Sequence, residues 1–167
     1  MTRKLLVELA EFHPEVRLVI QTRSSLIERD IDILREFKFL QVNMTITTDS
    51  EEIRKVFEPY CPSNKKRMEA VTNMQSNGIQ CCITMTPLLP VENPTGFAQD
   101  LKKTGVERFI IQPFHKDKGK FIAGTRGEAM EILNRYNWSD EKYRHVLSVM
   151  EKQLPNLGIG QAGFAPI

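Results

Sequence analysis

Two runs of alternating residues carry polar groups where a buried strand would have none. In residues 39–47, Leu40, Val42, Met44 and Ile46 point one way and Gln41, Asn43, Thr45 and Thr47 the other. In residues 79–86, Ile79, Cys81, Ile83 and Met85 alternate with Gln80, Cys82, Thr84 and Thr86. A parallel strand covered on both faces is normally apolar throughout. Each amide or hydroxyl buried here without a partner would cost about 1–3 kcal/mol, so another side chain, water or a ligand must meet it. Ligands of α/β folds gather at the carboxyl ends of strands, where Arg23, Thr45, Thr47, Thr86 and Gln112 all fall. A guanidinium at Arg23 has the fork geometry to clamp a carboxylate. The pattern fits a second account equally: threonine favours strands, an open sheet wets this face, and Arg23 is solvated.

The remaining reactive side chains form no catalytic set. Cys81 and Cys82 are adjacent in a strand and point to opposite faces, and Cys61 stands alone in a loop, so no metal site held by this chain is expected. His13 borders a turn before Pro14, and His145 lies on a helix facing solvent. His115 follows the fourth strand at the ligand edge and is a candidate contact; Arg67, inside a helix, is read as a snorkelling surface residue. No nucleophile elbow, phosphate loop or dinucleotide fingerprint occurs, and the Gly158-Ile159-Gly160 run follows a helix rather than a strand. No catalytic residue is assigned.

Four strands, at 16–22, 39–47, 79–86 and 107–112, alternate with helices. Asp49 with Glu52, and Thr125 with Glu128, have the spacing of capping boxes. Ser63 and Asn93 start helices, and Gly78 and Gly105 end them. The last two helices run from about 126 to 136 and from 139 to 154. Such an order makes parallel crossovers, and the fold class is α/β: a partial (β/α) barrel of four mostly parallel strands alternating with helices. Residues 1–154 form one domain and 155–167 a Gly/Ala-rich loop-like tail.

With 167 residues the chain has a real core but falls short of the roughly 200 that a closed (β/α)₈ barrel needs. The net charge of +2 gives nucleic-acid binding no support. No apolar run approaches the ~20 residues of a membrane helix, and no signal peptide is read at the start. Three cysteines without framework spacing suit a reducing cytoplasm, the expected location.

In order, Val19-Ile20-Gln21-Thr22-Arg23-Ser24, Arg29-Asp30-Ile31-Asp32, Val42-Asn43-Met44-Thr45-Ile46-Thr47, Phe57-Glu58-Pro59, Arg67-Met68-Glu69-Ala70 and the stretch from Gly78 to Pro90 resemble the radical S-adenosylmethionine (SAM) superfamily, in its spore photoproduct lyase and DNA repair photolyase-like branch. The resemblance runs from about Phe12 to His115. It implies the third to sixth strands of a (β/α)₆ barrel that binds SAM across the strand tops. It also implies a [4Fe–4S] cluster held by a Cys-x-x-x-Cys-x-x-Cys loop that this sequence lacks, so the cluster is not ligated by this chain. By position Thr45 matches a hydroxyl that contacts SAM. Arg23 falls where the lyase has a lysine, and arginine keeps the charge with a different reach. Asn43 and Thr47 flank Thr45 as further candidates.

The expectation is therefore the carboxyl-terminal part of a radical SAM enzyme, inactive alone, whose partner is the missing amino-terminal barrel segment. A half barrel leaves two open strand edges, so self-association is also expected. The alternatives are a non-catalytic assembly module pairing through those edges and a different α/β enzyme using His115 and the basic loop 116–120.

Overall fold

The computed structural model describes residues 2–114 and 127–164, with backbone only for 127–130. Five parallel strands form one sheet: β1 Arg17–Thr22, β2 Phe39–Thr45, β3 Cys81–Met85, β4 Phe109–Ile111 and β5 Leu157–Ile159. They stand in sequence order, each hydrogen-bonded to the next. Parallel crossovers share one hand, so a sheet wound in sequence order carries its helices on one face only. Those helices are α1 Thr2–Phe12, α2 Ile31–Leu34, α3 Glu51–Phe57, α4 Asn64–Ser76, α5 Pro94–Lys103, α6 Gly127–Arg135 and α7 Asp140–Gln153.

One-sided winding explains the alternation. Val42, Met44, Ile83, Met85, Phe109 and Ile111 pack in one core with Leu34 of α2, Val71 and Met74 of α4, Phe97 and Leu101 of α5 and Met150 of α7. On the opposite face Cys82 and Ile110 are buried yet stand apart from that core. Register aligns Gln21 with Asn43, Asn43 with Cys82, Thr45 with Thr84, Thr84 with Ile110 and Ile110 with Gly158. This second face is the concave side of a partial barrel.

The strand tops are stitched by the segment after β3. Leu88 N–H donates to the Gln112 carbonyl at 2.8 Å and Leu89 N–H to the Thr47 carbonyl at 2.9 Å. Thr48 Oγ1 adds a bond to the Pro90 carbonyl at 2.5 Å. One buried loop thus ties the tip of β2 to that of β4.

Three details differ from the sequence reading. Asp49 does not cap α3: its carboxylate accepts from Glu92 N–H at 3.0 Å and Asn93 N–H at 2.7 Å, bracing the entry to α5. Ser50 occupies the N-cap of α3, with no side-chain capping bond. The stretch between β1 and β2 begins as a 3-10 turn, Ser25–Asp30, before the single α2 turn. The tail is more than loop, because Leu157–Ile159 adds a fifth strand and Gln161–Gly163 a 3-10 turn. No alternating run announced it: the strand is three residues long and its inward residue, Gly158, has no side chain. Thr125 of the Thr125–Glu128 box and His115 lie outside the described residues.

Glycine at 158 is required by contact. A Cβ there would stand 2.5 Å from Gly163 Cα, and one at 163 would stand 2.9 Å from the Gly158 carbonyl carbon. Both obstacles are backbone, which a rotamer change cannot relieve. Gly158→Ala is expected to displace the 161–163 turn and cost about 1–3 kcal/mol, read as a lower urea midpoint with an unchanged slope. Wild-type stability in that variant would show that the turn moves freely.

Candidate functional site

Many polar groups of the concave strand row find partners within the chain. Thr45 Oγ1 and Thr84 Oγ1 lie 2.9 Å apart across the β2–β3 register. Gln41 Nε2 donates to Asn43 Oδ1 at 2.7 Å. Thr47 Oγ1 donates to Glu58 Oε1 at 3.4 Å. Asn43, Thr45, Thr47 and Thr84 are all buried, so protein side chains supply partners that the sequence left open between side chain, water and ligand. Thr86 and Gln112, at the tips of β3 and β4, are only partly buried.

Glu58 organises the strand tops. It follows α3 and faces two guanidiniums. Arg67 Nη2 stands 2.5 Å from Glu58 Oε2, and Arg23 Nε donates to Glu58 Oε1 at 3.1 Å. Arg67 is wholly buried, which corrects its reading as a snorkelling surface residue. The buried face of α4 runs Asn64, Arg67, Ala70, Val71, Met74, a spacing of three and four that includes the arginine. Its Nη1 donates to the Thr45 carbonyl at 2.9 Å and its Nε to the Pro62 carbonyl at 3.0 Å, so the guanidinium also fixes the loop before α4. Neighbouring Arg54 holds the same loop through the carbonyls of Glu58, at 3.1 Å, and Cys61, at 2.8 Å.

Two cations therefore share one carboxylate at the tips of β1 and β2. Arg67 is the structural cation. Arg23, with 43% of its side chain exposed, is the accessible one, and the surplus positive charge sits at the open side. Such a site draws an anionic group with planar, bidentate geometry. Glu58 and Arg67 were absent from the candidate residues read from the sequence. Phe57-Glu58-Pro59 and Arg67 stood among the family-like segments, but helix periodicity alone did not reveal a buried pair joining them.

The thiols do different work. Cys81 faces the helix core and Cys82 the concave side, as adjacent strand residues must. Burial pushes each thiol up to about 12, so both stay protonated at neutral pH. Two protonated thiols on opposite faces do not fit an iron–sulfur cluster, and Cys61 lies in the loop after α3. No group of three or more His, Cys, Asp or Glu among the described residues has metal-holding geometry. His13 and His145 are exposed. No helix among the described residues is long and apolar enough to cross a membrane.

Comparison with known proteins places this geometry. The family model for the Radical SAM superfamily matches residues 2–104. An uncharacterized protein of Methanocaldococcus jannaschii is 32% identical over 157 residues, covering 92% of this chain and 60% of that protein. An uncharacterized protein of Acidianus two-tailed virus is 33% identical over 141 residues, covering 76% and 42%. The chain thus spans less than two thirds of the curated relatives it matches. Among solved structures, Streptococcus suis SuiB bound to S-adenosylmethionine superposes with a TM-score of 0.59 at 15% identity, over 95% of this chain and 34% of that one. Spore photoproduct lyase complexed with dinucleoside spore photoproduct gives 0.59 at 16% identity, over 95% and 55%. Both share the fold, a parallel sheet alternating with helices.

Two measurements check the site. Arg67→Met leaves Glu58 a buried, half-paired carboxylate, and breaking such a pair costs about 3–5 kcal/mol. Adding Glu58→Leu is expected to recover much of that loss in chemical denaturation; simple additivity would show that the two groups do not act as a pair. A thiol-titrating disulfide reagent at pH 8 is expected to consume one equivalent rapidly, at Cys61, and the other two only on unfolding. Three fast equivalents would contradict the burial of Cys81 and Cys82.

Proposed function

The chain belongs to the radical SAM superfamily, and from that premise we propose that its strand tips form the later wall of a SAM site. In this proposal a further segment completes the barrel and brings the cluster-binding loop. The observation that carries it is the half-exposed Arg23 guanidinium beside Glu58, which holds net positive charge at the open end of a row of hydroxyls and amides. The donor set fits SAM: a planar cation for the methionyl carboxylate, and neutral hydrogen-bonding groups for ribose and adenine. Thr86 and Gln112 form the accessible rim, with His115 following them in sequence. Asn43, Thr45 and Thr47 make the layer beneath.

In the superfamily bound SAM supplies radical chemistry. This chain's part is binding and orientation. Arg23 neutralises the carboxylate, Glu58 holds Arg23 in place from behind, and Arg67 holds Glu58. The cysteines here do not fit a cluster, so this proposal assigns cluster ligation to the completing segment. That segment is expected to pair along the open edge of β1, where Val19 is 49% exposed on the concave side and Phe12 and Val16 are exposed near the base. A second copy of the chain on that edge is the competing outcome and would make the protein an assembly module. The relatives' greater length favours a completing segment.

Calorimetric titration with SAM tests the wall. The chain is expected to bind SAM, Arg23→Ala to weaken binding at least tenfold, about 1.4 kcal/mol, and Arg23→Lys to restore part of it. Iron–sulfur reconstitution is expected to leave the chain colourless alone and brown once a Cys-x-x-x-Cys-x-x-Cys segment is supplied. A brown cluster on the chain alone, or equal SAM affinity in wild type and Arg23→Ala, would overturn the proposal.

A further inference from the structure

We infer that Arg108, below the site on the concave face, is a positioning residue that sets the hydrogen-bonding polarity of Asn43. The inference rests on reading the strand row as a ligand wall. Arg108 Nη1 donates to Gln41 Oε1 at 2.9 Å, and Gln41 Nε2 donates to Asn43 Oδ1 at 2.7 Å. Arg108 Nη2 donates to the Gly163 carbonyl at 3.3 Å, which anchors the guanidinium to the turn folded against Gly158.

The direction of this relay follows from chemistry. A guanidinium has five N–H donors and no acceptor. Gln41 must therefore offer Arg108 its carbonyl oxygen, which turns its NH₂ toward Asn43. Asn43 must in turn offer Gln41 its oxygen, which turns its own NH₂ away from Gln41. An amide free to flip would present either an oxygen or an NH₂; here a cation two residues removed decides. Gln41 and Asn43 are 2% and 1% exposed, so water does not compete for these bonds. The consequence is specificity. The group facing Asn43 in the complete site must be an acceptor, such as a ring nitrogen, a carbonyl or an ether oxygen, and a pure donor there is rejected. Lysine at 108 would preserve the polarity because it too only donates; methionine would abolish it.

Side-chain amide NMR tests this without any ligand. The Asn43 Nδ2 cross-peaks, assigned by their loss in Asn43→Ala, are expected as one sharp set in wild type and Arg108→Lys. In Arg108→Met they are expected to double or broaden, as both amide orientations become populated, while the Thr45 and Thr84 methyl signals stay in place. Gln41→Leu cuts the same relay without touching Gly163 and should reproduce the Asn43 change if Arg108→Met does not fold. A single unshifted Asn43 set in the folded variant overturns the inference. A second arm titrates SAM into the same samples. Binding is expected to shift the Asn43 amide and to weaken about tenfold in Arg108→Met but stay within twofold in Arg108→Lys. SAM binding that leaves the Asn43 amide unmoved overturns the ligand contact. No SAM binding in wild type overturns the wall reading instead, and the ligand-free spectra still judge the relay.

Discussion

A guanidinium with no exposed surface must be neutralised where it lies, and Arg67 meets that demand by recruiting three separate parts of the chain. It takes the Glu58 carboxylate from beyond α3, the Thr45 carbonyl from β2 and the Pro62 carbonyl from the intervening loop. A buried ion pair contributes little net stability against a well-packed apolar replacement, because desolvation offsets the attraction. Its value here is geometric. It fixes where Glu58 points, and Glu58 fixes where Arg23 points.

The concave face has two layers with different tasks. The lower layer, from Gln41 to Thr47 with Thr84, is buried and internally bonded, so it gives the site a rigid floor of defined polarity. The upper layer, made of Arg23, Thr86 and Gln112, keeps partial access to solvent. A sheet wound with all its helices on one side can sustain this division, since the unhelixed face has no apolar layer to satisfy. Closely spaced polar residues on neighbouring parallel strands then find one another across the register.

Much of the fold was legible because the strands alternate. Leu40 to Ile46 and Ile79 to Met85 announce both their extended form and their apolar face, and the family-like segments placed them in a radical SAM barrel. The rest was hidden for identifiable reasons. β5 is three residues long and carries glycine at its one inward position, so no alternation could show; it exists through pairing with β4. Arg67 looked like a surface residue because one charged side chain in a helix usually is, and its partner lies nine residues away across a loop. Asp49 has the spacing of a cap but bonds to backbone beyond β3. Arg108 and Gln41 are 67 residues apart, and no local pattern joins them. Local periodicity reads elements; long-range polar pairing has to be seen.

The stitch across the strand tops makes the rim of this sheet unevenly stiff. With Leu88 and Leu89 donating to the carbonyls of Gln112 and Thr47, the mouths of β2 and β4 cannot spread without exposing two backbone bonds inside a buried loop. The tip of β1 lies outside that stitch: it is joined to β2 by the register that ends on Thr22 and Met44, and to Glu58 by one long and half-solvated side chain, Arg23. Compliance is thus concentrated along one flank. A molecule too bulky for the resting mouth would meet its least resistance at the Arg23 side chain, with the central strands acting as a fixed jaw.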